Sequence, residues 1–518
     1  MATRQVVDGA LLVDFPEVST PEANRLAVAV REHLMVRAVS GFLDAIPGAR
    51  TLLILFDPLV VAAEDLEQSL PNLSGVSALR QTRAFRIPAR YGGELGPDLA
   101  ALAGERRLST REVINAHVGA EYRVAFLGFA PGFPYLIGLP EVLHAARLLS
   151  PRPRVPAGSI GIGGEYTGVY PSVSPGGWNL IGRAAVNLFD PNADSPSLLA
   201  PGDTVRFEEV SETDFSKLSA EARPRPRSSP KTPPAFRVLR PGLYTSVQGP
   251  PRLGLSGFGV PTGGAMDLDA LLRANALLEN PLLAPGLEIT LAGPELEVLQ
   301  GCRLCLAGAP TEAELDGSAL ALEEPRDAAA GQRLRIGPVS QGVRSYLAIT
   351  GGFADRGLPG EATQRIQKGD QLYVAERLDQ LRPAVRLKSL YSTLPLVLRA
   401  LPGPQERLFT ERGLDAFFSS EYRVSIQSDR RGIRLEGSSV ELVGGSDIPP
   451  EGTAPGSVQV PGNALPIILG PDRPVTGGYA KVATVIGADL GKLAQARPGE
   501  RIRFEKVTIE QALAARLE

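Results

Sequence analysis

The chain of 518 residues is long enough for about three or four domains of ordinary size, and its 43% hydrophobic and 21% charged residues exclude a disordered or fibrous chain. With 54 basic and 57 acidic side chains, the formal net charge of −3 gives no positive field to hold a nucleic acid. No uninterrupted apolar run of about 18 residues is present and the opening MATRQVVDGALLVDFPE lacks signal-peptide order, so the sequence predicts a cytoplasmic chain without nucleic-acid or membrane partners.

Residues 1–83 read as a small α/β domain: strand ALLVDFP, a helix opened by Ser19, Thr20 and Pro21, then strand TLLILFD. Residues 84–215 begin with a strand near Phe85 and a helix opened by Ser109, with Glu112 three positions on as a capping box requires. From Tyr122 the pattern is short strands and Gly/Pro turns. Residues 216–236, SKLSAEARPRPRSSPKTPPAF, lack apolar periodicity and read as an extended linker. Two further β units are expected at 237–375 and 376–518.

Internal repetition supports this division. PGDTVRFEEV (201–210) and PGERIRFEKV (498–507) match, with KGDQLYV (368–374) a weaker third copy, and PAGSIGI (156–162) resembles PGSVQVP (455–461) at nearly the same distance ahead. Two matches in register predict duplicated domains. Small barrels fit, because many short strands need covered edges.

The chemistry-bearing segments lie in both halves. FLGFAPGFPYLIGL (126–139) and PRPRVPAGSIGIGGEYTGVYPSVSPGGWNLIGR (151–183) combine glycine, for close backbone approach, with Phe133, Tyr135 and Trp178 as pocket walls. Arg152, Arg154 and His117 could converge there as anion or acid/base groups, although tight barrel turns and a structural histidine read equally well. In the second half Asp429 with Arg430, and Asp472 with Arg473, are either structural ion pairs or a site. Lys481, one of few lysines, follows Gly477, Gly478 and Tyr479. It suits a carboxylate or phosphoryl oxygen, with Asp472 as base or orienting group. Cys302 and Cys305 fall on opposite faces of a strand and read as structural thiols. Three histidines make a Cys/His metal centre implausible, so no metal is expected. Neither a G-x-x-x-x-G-K-[ST] phosphate loop nor a G-x-S-x-G elbow occurs.

On IPARYGGELGPDL, GFAPGFPYL and VPAGSIGIGGEYTGVYPSVSPGGWNLIGR, the first half resembles the KipI family, also called the 5-oxoprolinase B-type or allophanate hydrolase type 1 subunits. On GGAMDLDALLRANALLEN, LEITLAGPELE, SDRRGIRLEG and DRPVTGGYAKVATVIGADLGKLAQ, the second half resembles the KipA family, the 5-oxoprolinase C-type or allophanate hydrolase type 2 subunits. The resemblance implies a mainly β chain with an α+β N-terminal domain and duplicated cyclophilin-like β-barrels. It also implies kinship with the carboxyltransferase domain of urea carboxylase. The chain has no M-K-M site for covalent biotin and no Ser-Ser-Lys site for true allophanate hydrolysis.

The resemblance further implies ATP-dependent opening of 5-oxoproline to glutamate, with ATP as co-substrate and a third, separate subunit of the LamB/YcsF type as partner. Two alternatives stay open: a regulator that binds a sensor histidine kinase, and a urea- or biotin-binding carboxyltransferase-like module. Self-assembly is compatible with each. Under the enzyme reading, Lys481, Asp472 and His117 are the catalytic candidates. Tyr479, Arg473, Gly477, Gly478, Asp429, Arg430, Arg154, Phe133 and Tyr135 are the candidates for substrate. The segment 351–370 lacks the family's Ser/Thr-rich stretch, which bears on specificity.

Overall fold

In a computed structural model, the described residues are 1–37, 39–71, 82–148, 150–193, 195–222, 232–354, 365–375 and 396–517. The run TLLILF is buried at every position because its strand, Thr51–Phe56, is covered on both faces. It lies inside an antiparallel sheet in the order Ala2–Val7, Ala10–Asp14, Thr51–Phe56, Phe42–Pro47. Leu11, Val13, Leu52 and Ile54 meet Leu26, Ala27 and Val30 of the helix Thr20–Arg37. The alternate residues Leu12, Leu53 and Leu55 instead join a core with Leu401, Ala454, Val475 and Ile486, far along the chain. Period-two alternation thus sends one face to the domain's own helix and the other to the second half.

Two closed seven-stranded barrels follow, one from Ala84–Tyr91 to Thr204–Glu209 and the other from Leu396–Pro402 to Arg501–Lys506. Counted along the chain, their strands run around each circle in the same order, 1-6-4-5-3-2-7. In both, the last strand pairs parallel to the first. These are the duplicated barrels expected from the repeat, of the cyclophilin-like type that the resemblance implies. The helix Thr110–Gly119 on the first carries the full Ser109–Glu112 capping box.

The repeated closing turn has a physical basis. Gly202, Gly499 and the weaker copy's Gly369 have φ of 92°, 88° and 90°, a region that disfavours side chains. The next residue's carboxylate accepts a backbone N–H three positions back in every copy: Asp203 from Ala200 at 2.9 Å, Glu500 from Arg497 at 2.9 Å and Asp370 from Gln367 at 3.0 Å.

Between the barrels the outcome differs from the expected third barrel. The described residues of the middle unit form a six-stranded and a five-stranded sheet, whose facing residues Phe236, Leu296, Leu334, Leu287, Leu304 and Leu347 make one core. Helix Leu268–Leu277, capped by Asp267, covers the outer face of the five-stranded sheet. There Cys305 packs with Ala307 and Ala348, while Cys302 lies against the inner core, on opposite faces as strand spacing predicts. Burial pushes both thiols up to about 11.

The extended linker at 216–236 is corrected at both ends. Helix Glu212–Glu221, held by the Ser211 cap and buried Phe215, runs into it, and strand Pro234–Arg240 begins before it ends. Residues 223–231 and 355–364, half of the 351–370 segment, lie outside the described residues. Among the described residues no helix is long and apolar enough to cross a membrane.

Candidate functional site at the seam of the two halves

The glycine-rich loop of the first half is folded on itself and pressed against the second. Gly128 N–H donates to Phe133 O at 3.1 Å and Phe133 N–H to Ala130 O at 3.0 Å, closing the turn. Gly132 N–H then donates to Phe258 O of the second half at 2.9 Å. A Cβ on Gly259 would stand 2.7 Å from Ala130 O, and one on Gly128 would collide with Thr476. Only glycine lets these backbones come so close. Segments 128–133, 256–264 and 472–479 therefore meet in one seam.

Behind the loop lies an aromatic wall. Tyr135 stacks on Phe126 at 4.5 Å between centroids, Trp178 stands edge-on to Phe133 at 5.3 Å, and Tyr166 to Tyr135 at 5.7 Å. Gly163 makes room for the indole, since a Cβ there would stand 2.6 Å from the Trp178 ring. Burial pushes the Tyr135 hydroxyl up to about 12. Phe133, 1% exposed, and Tyr135, 7% exposed, thus belong to a buried aromatic cluster, and at Phe133 the expected pocket wall is replaced by core packing.

On the facing side, Arg473 is fully buried. Its Nε donates to Thr453 O and its Nη1 to Thr262 Oγ1, both at 3.0 Å, while Nη2 has no hydrogen-bond partner among the described residues. Burial pulls this guanidinium down to about 10, with Asp44 and Asp472 acting against it. Gly477, Gly478 and Tyr479 lie on the strand Thr476–Tyr479, which pairs with Asp447–Gly452. All three are half-buried.

Lys481, just beyond this hairpin, forms a buried ion pair with Glu451 on the partner strand. Glu451 also accepts from Gln405 Nε2 at 2.7 Å, and Gln405 Oε1 accepts from Lys481 N–H at 3.1 Å. The pair lines a pocket closed on one side by Val6, Leu12 and Leu53 of the N-terminal sheet. A lysine so placed presents a neutralised charge rather than a bare cation.

Asp472 and Arg430 form another buried arrangement. Arg430 makes two bonds to Asp472, at 2.8 and 2.9 Å, one to Glu288 at 2.7 Å and one to Gly264 O at 2.7 Å. Glu288 further accepts from Tyr346 and from Met266 N–H, both at 2.8 Å. Burial pushes the Glu288 carboxyl up, but Arg430 and Arg344 outweigh it and hold it below its ordinary range. This network bolts the middle unit to the second barrel, the structural reading of the carboxylate–arginine motif. Exposed Asp429 closes the adjoining turn, accepting from Arg431 N–H at 2.8 Å and Gly432 N–H at 3.2 Å.

His117 lies apart, in the first barrel's interior. Nδ1 meets Tyr91 Oη at 2.9 Å and Nε2 meets Thr167 Oγ1 at 3.0 Å. Because Thr167 donates onward to Gly161 O, its oxygen accepts from Nε2–H and the Tyr91 hydroxyl donates to Nδ1. Burial drives the imidazole down to about 3, so it is neutral near pH 7. Arg154 is exposed on the strand Arg152–Val155. The structure does not join His117 to the second-half candidates. Glu451, Gln405, Glu288 and Thr262 complete the seam and its supports, and no local motif marks them in the sequence because each gains its partner only through folding.

Residues 1–199 match the model for the carboxyltransferase domain, subdomain C and D, and residues 258–506 the model for subdomain A and B. The B-type subunit of 5-oxoprolinase from Bacillus subtilis is 38% identical over 232 residues, covering 42% of this chain and 96% of that one. The C-type subunit of 5-oxoprolinase from Escherichia coli K12 is 36% identical over 293 residues, covering 54% of this chain and 94% of that one. The crystal structure of TTHA0988 superposes with a TM-score of 0.81 at 35% identity, covering 96% of this chain and all of the other. With a B-like half and a C-like half on one polypeptide, this chain belongs to the carboxyltransferase-domain family that includes the B-type and C-type subunits of 5-oxoprolinase.

Proposed function

We propose that this chain is the joined B and C component of an ATP-dependent 5-oxoprolinase, acting in the cytoplasm with a separate third subunit. The observation that carries this reading is the seam: the GFAPGF loop of the B-like half and the TGGY hairpin of the C-like half touch, so one chain supplies both walls of one site. Opening a lactam ring with ATP passes through phosphorylation of the lactam oxygen, so the site must meet a carboxylate, a phosphate and a developing oxyanion. Arg473, with its unused Nη2, and the Lys481–Glu451 pair are the second half's contribution. The docking of the halves weighs against a kinase regulator in which one half must release the other.

The test is release of glutamate and ADP from 5-oxoproline and ATP by the full chain, with and without the third subunit. Turnover that needs both chains supports the reading. A folded, mixed complex that releases neither product overturns it.

A further inference from the structure

The aromatic wall carries a guanidinium that the fold itself does not use. The backbone around Arg147 is pinned on both sides: Ala145 exchanges bonds with Gly164 at 3.2 and 2.7 Å, Leu148 N–H donates to Gly177 O at 2.7 Å, and Asn179 Nδ2 donates to Ala146 O at 2.8 Å. The Arg147 side chain is exposed and, among the described residues, makes no hydrogen bond or ion pair. Its Nη2 lies 4.0 Å from where a Cβ on Gly478 would stand, so it reaches the glycine pair of the other half. Tyr135, only 7% exposed, likewise has no hydrogen-bond partner for its hydroxyl among the described residues. The charge of Arg147 acts on Tyr135 and on the neighbouring Tyr166 and Tyr170.

We propose that Arg147 and the Tyr135 hydroxyl form a receptor for a small monocarboxylate at the seam, with the ligand seated beside the half-buried strand at Gly477 and Gly478. A guanidinium fork matches a carboxylate in two parallel bonds, and the phenol adds a third donor. A single guanidinium with Glu165 nearby favours a monoanion over a phosphate dianion. The inference rests on the function proposed above, whose substrate is a cyclic carboxylate, and names the groups that hold that carboxylate.

Trp178, the chain's one tryptophan, stands edge-on to Tyr135 at 5.5 Å, so its fluorescence reports on this site. The full chain, alone and with the third subunit, is titrated with 5-oxoproline, its neutral carboxamide, and tetrahydrofuran-2-carboxylate, which keeps the acid but lacks the lactam. Saturable binding of the acids is expected, with the carboxamide about tenfold weaker or worse. Arg147→Met should weaken the acids about tenfold or more, abolish acid-over-amide discrimination and leave the melting temperature unchanged, with Arg147→Lys recovering part of the affinity. If the ring acid binds through Arg147 but 5-oxoproline does not, the receptor stands and the 5-oxoprolinase reading falls. If 5-oxoproline binds or turns over equally well in Arg147→Met, the receptor is overturned and the enzyme reading survives. If neither acid binds, the receptor is overturned as well.

Discussion

Thr476 of the second half's Thr476–Tyr479 strand occupies the space that a side chain on Gly128 of the first half would need, its Cβ 2.8 Å from the place where a Cβ on the glycine would stand. Thr476 is buried, so it has little freedom to withdraw. Gly128→Ala should therefore strain the seam by about 1–3 kcal/mol, the usual cost of overpacking. Chemical denaturation of the intact chain measures the loss. Adding Thr476→Ala should recover part of it, and equal stability of single and double variants would deny the contact its role.

The Lys481–Glu451 pair calls for a paired test, because stability and chemistry are entangled there. Lys481→Ala leaves Glu451 buried without its cation, a change that costs about 3–5 kcal/mol in such settings. Lys481→Met with Glu451→Gln removes both charges and should restore most of the stability. If the double variant is stable yet inactive, the lysine serves the reaction; if activity returns with stability, it serves the fold.

His117 sets a pH dependence with a definite sign. The unfolded chain takes up a proton near 6.5, whereas burial delays protonation of the folded form to about 3. The contribution is complete above pH 6.5. It is lost as the pH falls through that window, by about 1.4 kcal/mol per unit. His117→Asn should flatten this slope in denaturation curves taken between pH 7 and 4. A histidine so held also contributes no titration near neutrality to a pH–rate profile.

Glu288 should behave as a bolt rather than a reagent. Glu288→Ala leaves Arg430 with Asp472 as its carboxylate partner among the described residues, takes the carboxylate from Arg344, and should cost about 1–3 kcal/mol. Because the carboxyl is held below its ordinary range, its stabilisation is present above that range and is lost as the pH falls through its folded value. A wild-type chain and a Glu288→Gln variant with matching acid melting profiles would refute this.

The sequence by itself determined the elements whose information is local. The capping box at Ser109, the repeated closing turns with glycine at positive φ and the split faces of Cys302 and Cys305 follow from spacing and backbone preference, so they are legible in one dimension. The duplication was legible for the same reason, since the closing turn repeats its chemistry. Aromatic residues among glycines signalled close approach, but that pattern does not distinguish a pocket wall from the buried cluster that Phe133 and Tyr135 form. Tertiary structure alone decided that the N-terminal sheet would bury its second face on the distant barrel, since a fully apolar strand does not say what covers it. It also decided that Asp472–Arg430 would be tied to Glu288, 142 residues from Arg430, that Lys481 would be neutralised by Glu451, and that Arg147 would reach Gly478. A charge is classed as structural or functional by its neighbours, and those neighbours come together only when two halves of one chain dock.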